Sequence, residues 1–125
     1  LKRAHARGFR LALDDMGAGN AGLRALTHVR FDVVKLDRHV IARLGIDPAS
    51  DATVAAATTF VQQTGGKVIA EGIEDTDMLD FLRRLEDDMT VARPRIHGGQ
   101  GYGLGRPSHT IPPTTNNLLL DTLPA

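Results

Sequence analysis

Four short apolar stretches, each ending in a polar group, constrain this chain more than any other feature. Arg10-Leu11-Ala12-Leu13 runs into Asp14-Asp15, Val33-Val34 into Lys35, Val68-Ile69-Ala70 into Glu71, and a glycine-rich segment at 98–99 into Gln100. In parallel α/β folds the reactive residues sit at the carboxyl ends of the strands, where several strand ends converge on one pocket. The stretches begin near residues 9, 32, 67 and 99, with room for at least one helix between each pair, so the chain reads as four βα units. A closed eight-unit barrel typically takes about 250 residues. Four units in 125 residues therefore amount to half a barrel, and to half an active site.

The intervening segments carry helical signals. Residues 1–8 read as the end of a helix closed by Gly8, because glycine just past a helix takes the left-handed conformation cheaply. Asp14 to Gly19 reads as a loop, with Asn20 capping a helix that carries Leu23, Leu26 and Val29. A short helix with Val40, Ile41 and Leu44 follows the second strand. Ser50 or Asp51 is expected to cap a longer one, whose Val54, Ala57, Thr58 and Val61 share a face before Gly65-Gly66 ends it. Thr76 is the expected cap of a helix striped by Met78, Leu79, Leu82 and Leu85. Residues 86–99 show no clear period and read as a loop or insertion, and the Pro/Thr/Asn-rich tail at 108–125 reads as a linker or docking segment.

Composition narrows the class of function. A chain that is 42% hydrophobic and 24% charged falls among globular domains. Its 15 basic and 15 acidic residues cancel, so nothing argues for duplex nucleic acid or an anionic membrane as partner. With no cysteine there is no disulfide, thiolate nucleophile or Cys-type zinc site, which is compatible with a reducing compartment. No apolar run approaches the roughly 20 residues of a membrane span, and no signal-peptide core is present. The chain begins at Leu1 rather than Met, so a piece of a longer protein, or a processed one, is expected.

Asp14-Asp15 is the sharpest local signal, since adjacent carboxylates leaving a strand offer hard oxygen ligands to Mg²⁺ or Mn²⁺. Taken singly, each group also has an ordinary reading: a solvated acidic loop for the pair, a surface cation for Lys35, a helix-cap acid for Glu71. All three standing in strand-end register favours chemistry. The five histidines show no metal-ligand spacing, and Tyr102 with four Phe is too little for a base-stacking platform.

The succession Leu-Asp-Asp-Met-Gly-Ala-Gly (13–19), Val-Lys-Leu-Asp (34–37), Ile-Ala-Glu-Gly-Ile-Glu (69–74) and Gln-Gly-Tyr-Gly-Leu-Gly-Arg-Pro (100–107) resembles the second half of an EAL domain in order and approximate spacing, over residues 1–107. The resemblance implies the C-terminal half of a modified TIM barrel, in a bacterial and cytoplasmic signalling domain that hydrolyses cyclic di-GMP to linear pGpG with two Mg²⁺ or Mn²⁺ ions. Position by position it makes Asp14 and Asp15 metal ligands, Lys35 the cation that orients the attacking water or a ligated oxygen, and Glu71 an acidic residue at the metal site, the family's usual general-base candidate. Glu74 would brace the loop from Asp15 to Gly19, Gln100 would line the pocket, and Arg106 would reach a phosphate or guanine.

The chain also departs from the family pattern. Met16, Ala18 and Asn20 replace the usual aromatic, Thr and Tyr, in a loop that couples dimerisation to metal binding in the family. Gly103-Leu104-Gly105 stands for the usual Leu-Phe-Ser, which reads as a loosened last strand, and 86–99 is longer than the family shows. The Glu-Ala-Leu signature and the ligands of the first half are absent. A receiver domain is excluded by order, since Lys35 follows the acidic pair within one βα unit. The remaining alternative is a catalytically silent EAL-type module that binds cyclic di-GMP or a protein. A half-barrel is expected to pair with the missing N-terminal half or with a second copy, because open sheet edges and the strand faces bearing Leu11, Leu13, Val34 and Ile69 invite it.

Overall fold

The computed structural model describes residues 2–19, 21–87 and 95–110. In chain order they form α1 (Lys2–Ala6), β1 (Ala12–Met16), α2 (Ala21–Leu26), β2 (Val33–Leu36), α3 (Arg38–Ile41), α4 (Pro48–Thr64), β3 (Lys67–Glu71), α5 (Thr76–Asp87) and β4 (Gly98–Gln100). The four strands make one parallel sheet in the order β1-β2-β3-β4. Parallel neighbours need a crossover between them, and the helices supply it.

Alternate strand residues divide the sheet into two unlike faces. Val34, Leu36, Val68 and Ala70 are 0% exposed, covered by α3 and α4, which pack against β2 and β3. Val33, Lys35, Ile69 and Glu71, on the other face, stay half-buried. Of the apolar residues expected on open strand faces, Leu11, Leu13 and Val34 instead belong to or pack against this core, Val34 in register with Leu13 and Val68. Leu79 and Leu82 of α5 and Ile96 join the same core.

Several boundaries differ from those read in the sequence, each for a local reason. β1 begins at Ala12, not near residue 9, because the Leu11 amide donates to the Asp32 carboxylate (2.7 Å) instead of to the ladder. His5 donates to the same carboxylate at 2.9 Å, which ties α1 to the start of β2. α4 is capped by Asp47, whose carboxylate accepts from Ala49 N (3.3 Å) and Ser50 Oγ (3.1 Å), with Pro48 in the first turn where its missing amide proton is harmless. Ser50 and Asp51, the expected caps, lie within the first turn. α5 is opened by Asp75, which accepts from Met78 N at 2.8 Å, so Thr76 is its first residue rather than its cap. Gly8 and Gly65 end α1 and α4 with φ of 81° and 72°. The expected cap Asn20, residues 88–94 of the 86–99 segment and residues 111–125 of the tail lie outside the described residues. Among the described residues no helix is long and apolar enough to cross a membrane.

Candidate metal and phosphodiester site

Two acidic neighbours on a regular strand point to opposite faces of a sheet. Here they do not, because β1 is bulged. Leu13 pairs with Val34 and Met16 with Leu36, so Asp14 and Asp15 together face the single residue Lys35. Asp15 takes a φ of 53°, a left-handed conformation that Asp and Asn tolerate better than other side chains. The pair that reads as a loop is therefore the end of a strand, re-aimed by one extra residue. Met16, after the bulge, returns to the core at 1% exposure.

Glu71, the last residue of β3, brings a third carboxylate to the bulge. Asp14, Asp15 and Glu71 each place an oxygen within 4.8 Å of the others. Lys35 lies between them, 3.0 Å from Asp14 Oδ1 and also paired with Glu71 Oε1. The Lys35 hydrogen bond is the main cause holding the Asp14 carboxyl below the usual carboxylate range. Lys35 is itself pushed up, chiefly by its bond to Glu71, against the opposing effect of burial. Three hard oxygen donors at this spacing fit a divalent cation of the Mg²⁺ or Mn²⁺ type, with coordination positions left over for a ligand.

Beside the cluster runs a groove of about 310 Å³ lined by Asp15, Asp37, Arg38, Glu71, Gly72, Gln100 and Gly101. Gln100 is opposite Glu71 in the β3–β4 register, and its carbonyl accepts from Ile73 N at 3.1 Å, which fixes the end of β4 at the groove. Asp37 caps α3, accepting from the backbone and ring nitrogens of His39 at 2.8 and 2.9 Å. Burial raises its carboxyl, but the His39 bonds outweigh that and leave it below the ordinary value. Gly72, at φ 72°, leaves no room for a Cβ because the Arg38 side chain begins there.

The structure thus gathers Asp14, Asp15, Lys35, Glu71 and Gln100 at one end of the sheet and leaves two expected residues aside. Arg106 lies over the Tyr102 ring, 5.0 Å from its centroid, and does not line the groove. Glu74 is exposed, with no hydrogen bond to the 15–19 loop among the described residues. Nor is the Gly103-Leu104-Gly105 segment a loosening. Gly103 N donates to Ile73 O at 2.8 Å, and a Cβ on Gly103 would stand 2.6 Å from Asp75 N, so this glycine permits close contact with the turn after β3. Asp37 and Arg38 were missed, although both directly follow the β2 strand end that supplies Lys35.

The EAL domain family model matches residues 1–107, and the chain belongs to that family. It is 31% identical over 107 residues to the cyclic di-GMP phosphodiesterase RocR of Pseudomonas aeruginosa, covering 86% of this chain and 25% of RocR. It is 32% identical over 80 residues to the probable cyclic di-GMP phosphodiesterase PdeG of Escherichia coli, covering 64% of this chain and 16% of PdeG. The chain superposes on the PaMucR phosphodiesterase in complex with c-di-GMP at a TM-score of 0.64, with 30% identity over 86% of this chain and 40% of that one. It also matches Klebsiella pneumoniae BlrP1 in its manganese and cyclic di-GMP complex, at a TM-score of 0.56 and 33% identity over 66% of this chain and 21% of that one. The chain accordingly spans well under half the length of the relatives it matches.

Proposed function

We propose that this chain forms the C-terminal half of a cyclic di-GMP phosphodiesterase domain, which hydrolyses the cyclic dinucleotide to linear pGpG in bacterial signalling. The observation that carries this reading is the convergence of Asp14, Asp15 and Glu71 on a bulged strand end, with Lys35 between them. Asp14, Asp15 and Glu71 would hold Mg²⁺ or Mn²⁺, with the remaining ligands of a two-ion site coming from the other half of the barrel. A divalent ion held there polarises phosphoryl oxygens and acidifies water at neutral pH.

The chain's own groups divide the remaining tasks. Lys35 places a positive charge beside the carboxylates, where it favours oxygen atoms that gain negative charge as the phosphodiester is attacked. Glu71, 17% exposed, is better shielded from water than Asp14 at 62% and accepts a proton from the attacking nucleophile. Gln100 offers an amide donor and acceptor to the edge of the bound dinucleotide from the end of β4. Asp37 holds α3 in place beside them.

The test joins this chain to the first half of an EAL barrel and follows cyclic di-GMP by chromatography. Conversion to pGpG with Mg²⁺ or Mn²⁺, abolished by EDTA, is the expected result. Turnover unaffected by excess EDTA would overturn the metal reading, and tight cyclic di-GMP binding without turnover in either metal would establish a silent binding module instead. The 125-residue chain alone is expected to be inactive.

A further inference from the structure

We propose that Arg38 is the phosphate-contacting residue of the groove, its guanidinium taking the non-bridging oxygens of a phosphodiester seated on the carboxylate cluster. The inference rests on the cyclic di-GMP reading and assigns a contact which that reading leaves without a residue.

An anionic diester approaching Asp15, Asp37 and Glu71 needs a positive group that is not already engaged. Lys35 is engaged twice, by Asp14 and by Glu71. Arg106, the cation expected to reach phosphate, is stacked on Tyr102 and lines no part of the groove. Arg38 does line it, together with Asp15, Glu71 and Gln100. Among the described residues its guanidinium makes no hydrogen bond or ion pair and acts on Asp37 only through space, in contrast to Arg43 and Arg83, which pair with Asp47 and Asp80. A planar fork of donors matches two oxygens of one phosphate, and an ammonium does not.

The root of Arg38 is fixed even though its head makes no hydrogen bond among the described residues. Its backbone follows Asp37, which is locked by two bonds from His39. Its Cα and Cβ are closely approached by Gly72, the residue after Glu71, where a side chain has no space. The loop that delivers Glu71 to the cluster therefore also positions the stem of Arg38. A held stem with an uncommitted head loses less freedom on binding than a mobile surface arginine.

The experiment uses the complete domain described above and measures three quantities for Arg38→Gln and Arg38→Lys: cyclic di-GMP affinity by equilibrium dialysis in EDTA, KM and kcat in Mg²⁺, and Mn²⁺ affinity without nucleotide. For Arg38→Gln we expect Kd and KM to rise roughly 10- to 100-fold, as loss of a charge-assisted hydrogen bond predicts, with Mn²⁺ affinity unchanged. Arg38→Lys should recover part of the affinity, because charge is kept while the fork is lost. Unchanged Kd and KM in Arg38→Gln would overturn the proposal, as would a lowered melting temperature with no recovery in Arg38→Lys, which would mark a purely structural arginine. If the unsubstituted domain neither binds nor cleaves cyclic di-GMP, the functional reading fails separately. Arg38 is then decided by titrating dimethyl phosphate and following its Nε–H resonance, where a saturable shift supports the contact and no shift overturns it.

Discussion

Lys35 faces two residues of the neighbouring strand rather than one, and its ammonium lies 3.0 Å from Asp14 Oδ1. A single cation is thereby shared between the bulge and Glu71, leaving three carboxylates balanced by one positive charge. The cluster is electrostatically incomplete until a further cation arrives.

Replacing Lys35 separates binding from catalysis. In Lys35→Ala the carboxylates lose their internal counter-charge, so Mn²⁺ should bind more tightly, by roughly fivefold on Coulombic grounds at the exposure of Asp14. Turnover should move the opposite way, with kcat down roughly 100-fold, because a fixed positive charge acts on the transition state. Calorimetric Mn²⁺ titration and steady-state kinetics check the two directions. Parallel losses in both would reassign Lys35 to holding the fold.

Asp15 combines a backbone role with a ligand role, and two substitutions distinguish them. Asp15→Asn keeps a side chain that tolerates φ 53°, so the melting temperature should hold while Mn²⁺ affinity falls by at least about tenfold. Asp15→Val places a β-branched residue in a left-handed conformation and should add a destabilisation of about 1–3 kcal/mol. Equal stability in the two variants would show that the bulge does not depend on this residue.

The Asp32 carboxyl is held below its ordinary value of 3.8, first by the Leu11 amide and then by His5. A group whose folded-state value is depressed contributes stability above its unfolded value, and loses it as pH falls through the folded one. Protection of the Leu11 amide against hydrogen exchange should thus be constant from neutral pH down to about 4 and fall below that. Asp32→Asn should show weaker protection at neutral pH and no such step. A step of the same size in Asp32→Asn would place its origin elsewhere.

Gly103→Ala tests the close contact after β4. Its Cβ would stand 2.6 Å from both Asp75 N and Glu74 C, which is overlap with backbone that has nowhere to retreat. The expected cost is about 1–3 kcal/mol, as for other overpacking. Because the displaced turn follows directly on Glu71, weaker Mn²⁺ binding should accompany it. A neutral melting temperature would show that the turn gives way freely.

Strand ends were legible in the sequence, and side-chain directions were not. Asp14, Asp15, Lys35, Glu71 and Gln100 each close a short apolar or glycine-rich run, so parallel-sheet logic alone places them together. The bulge has no such signature, because it depends on how Leu13 and Met16 pair with β2 and not on local preference. The α4 cap lies three or four residues before the expected Ser50 or Asp51 because Asp47, Ser50 and Asp51 are all competent caps, and Pro48 is what favours the first. Arg106 and Glu74 are exposed, and their roles turn on what they touch. Arg38 lies two residues past the end of β2, and no motif of the sequence marks it. Gly103 reads in the sequence as part of a loosened last strand, although its value lies in the backbone contact that it allows.

The bulge in β1 also limits how this segment can vary over generations. Deleting one residue at position 14 or 15 would restore an even ladder with β2, and it would leave a single carboxylate opposite Lys35. Insertion of one residue would rotate Met16 out of the core and bring a polar neighbour in. Mutational drift here can therefore proceed by exchange of letters but not by change of length, and a relative with a one-residue gap at this point is expected to have lost the cation-binding centre while keeping its sheet.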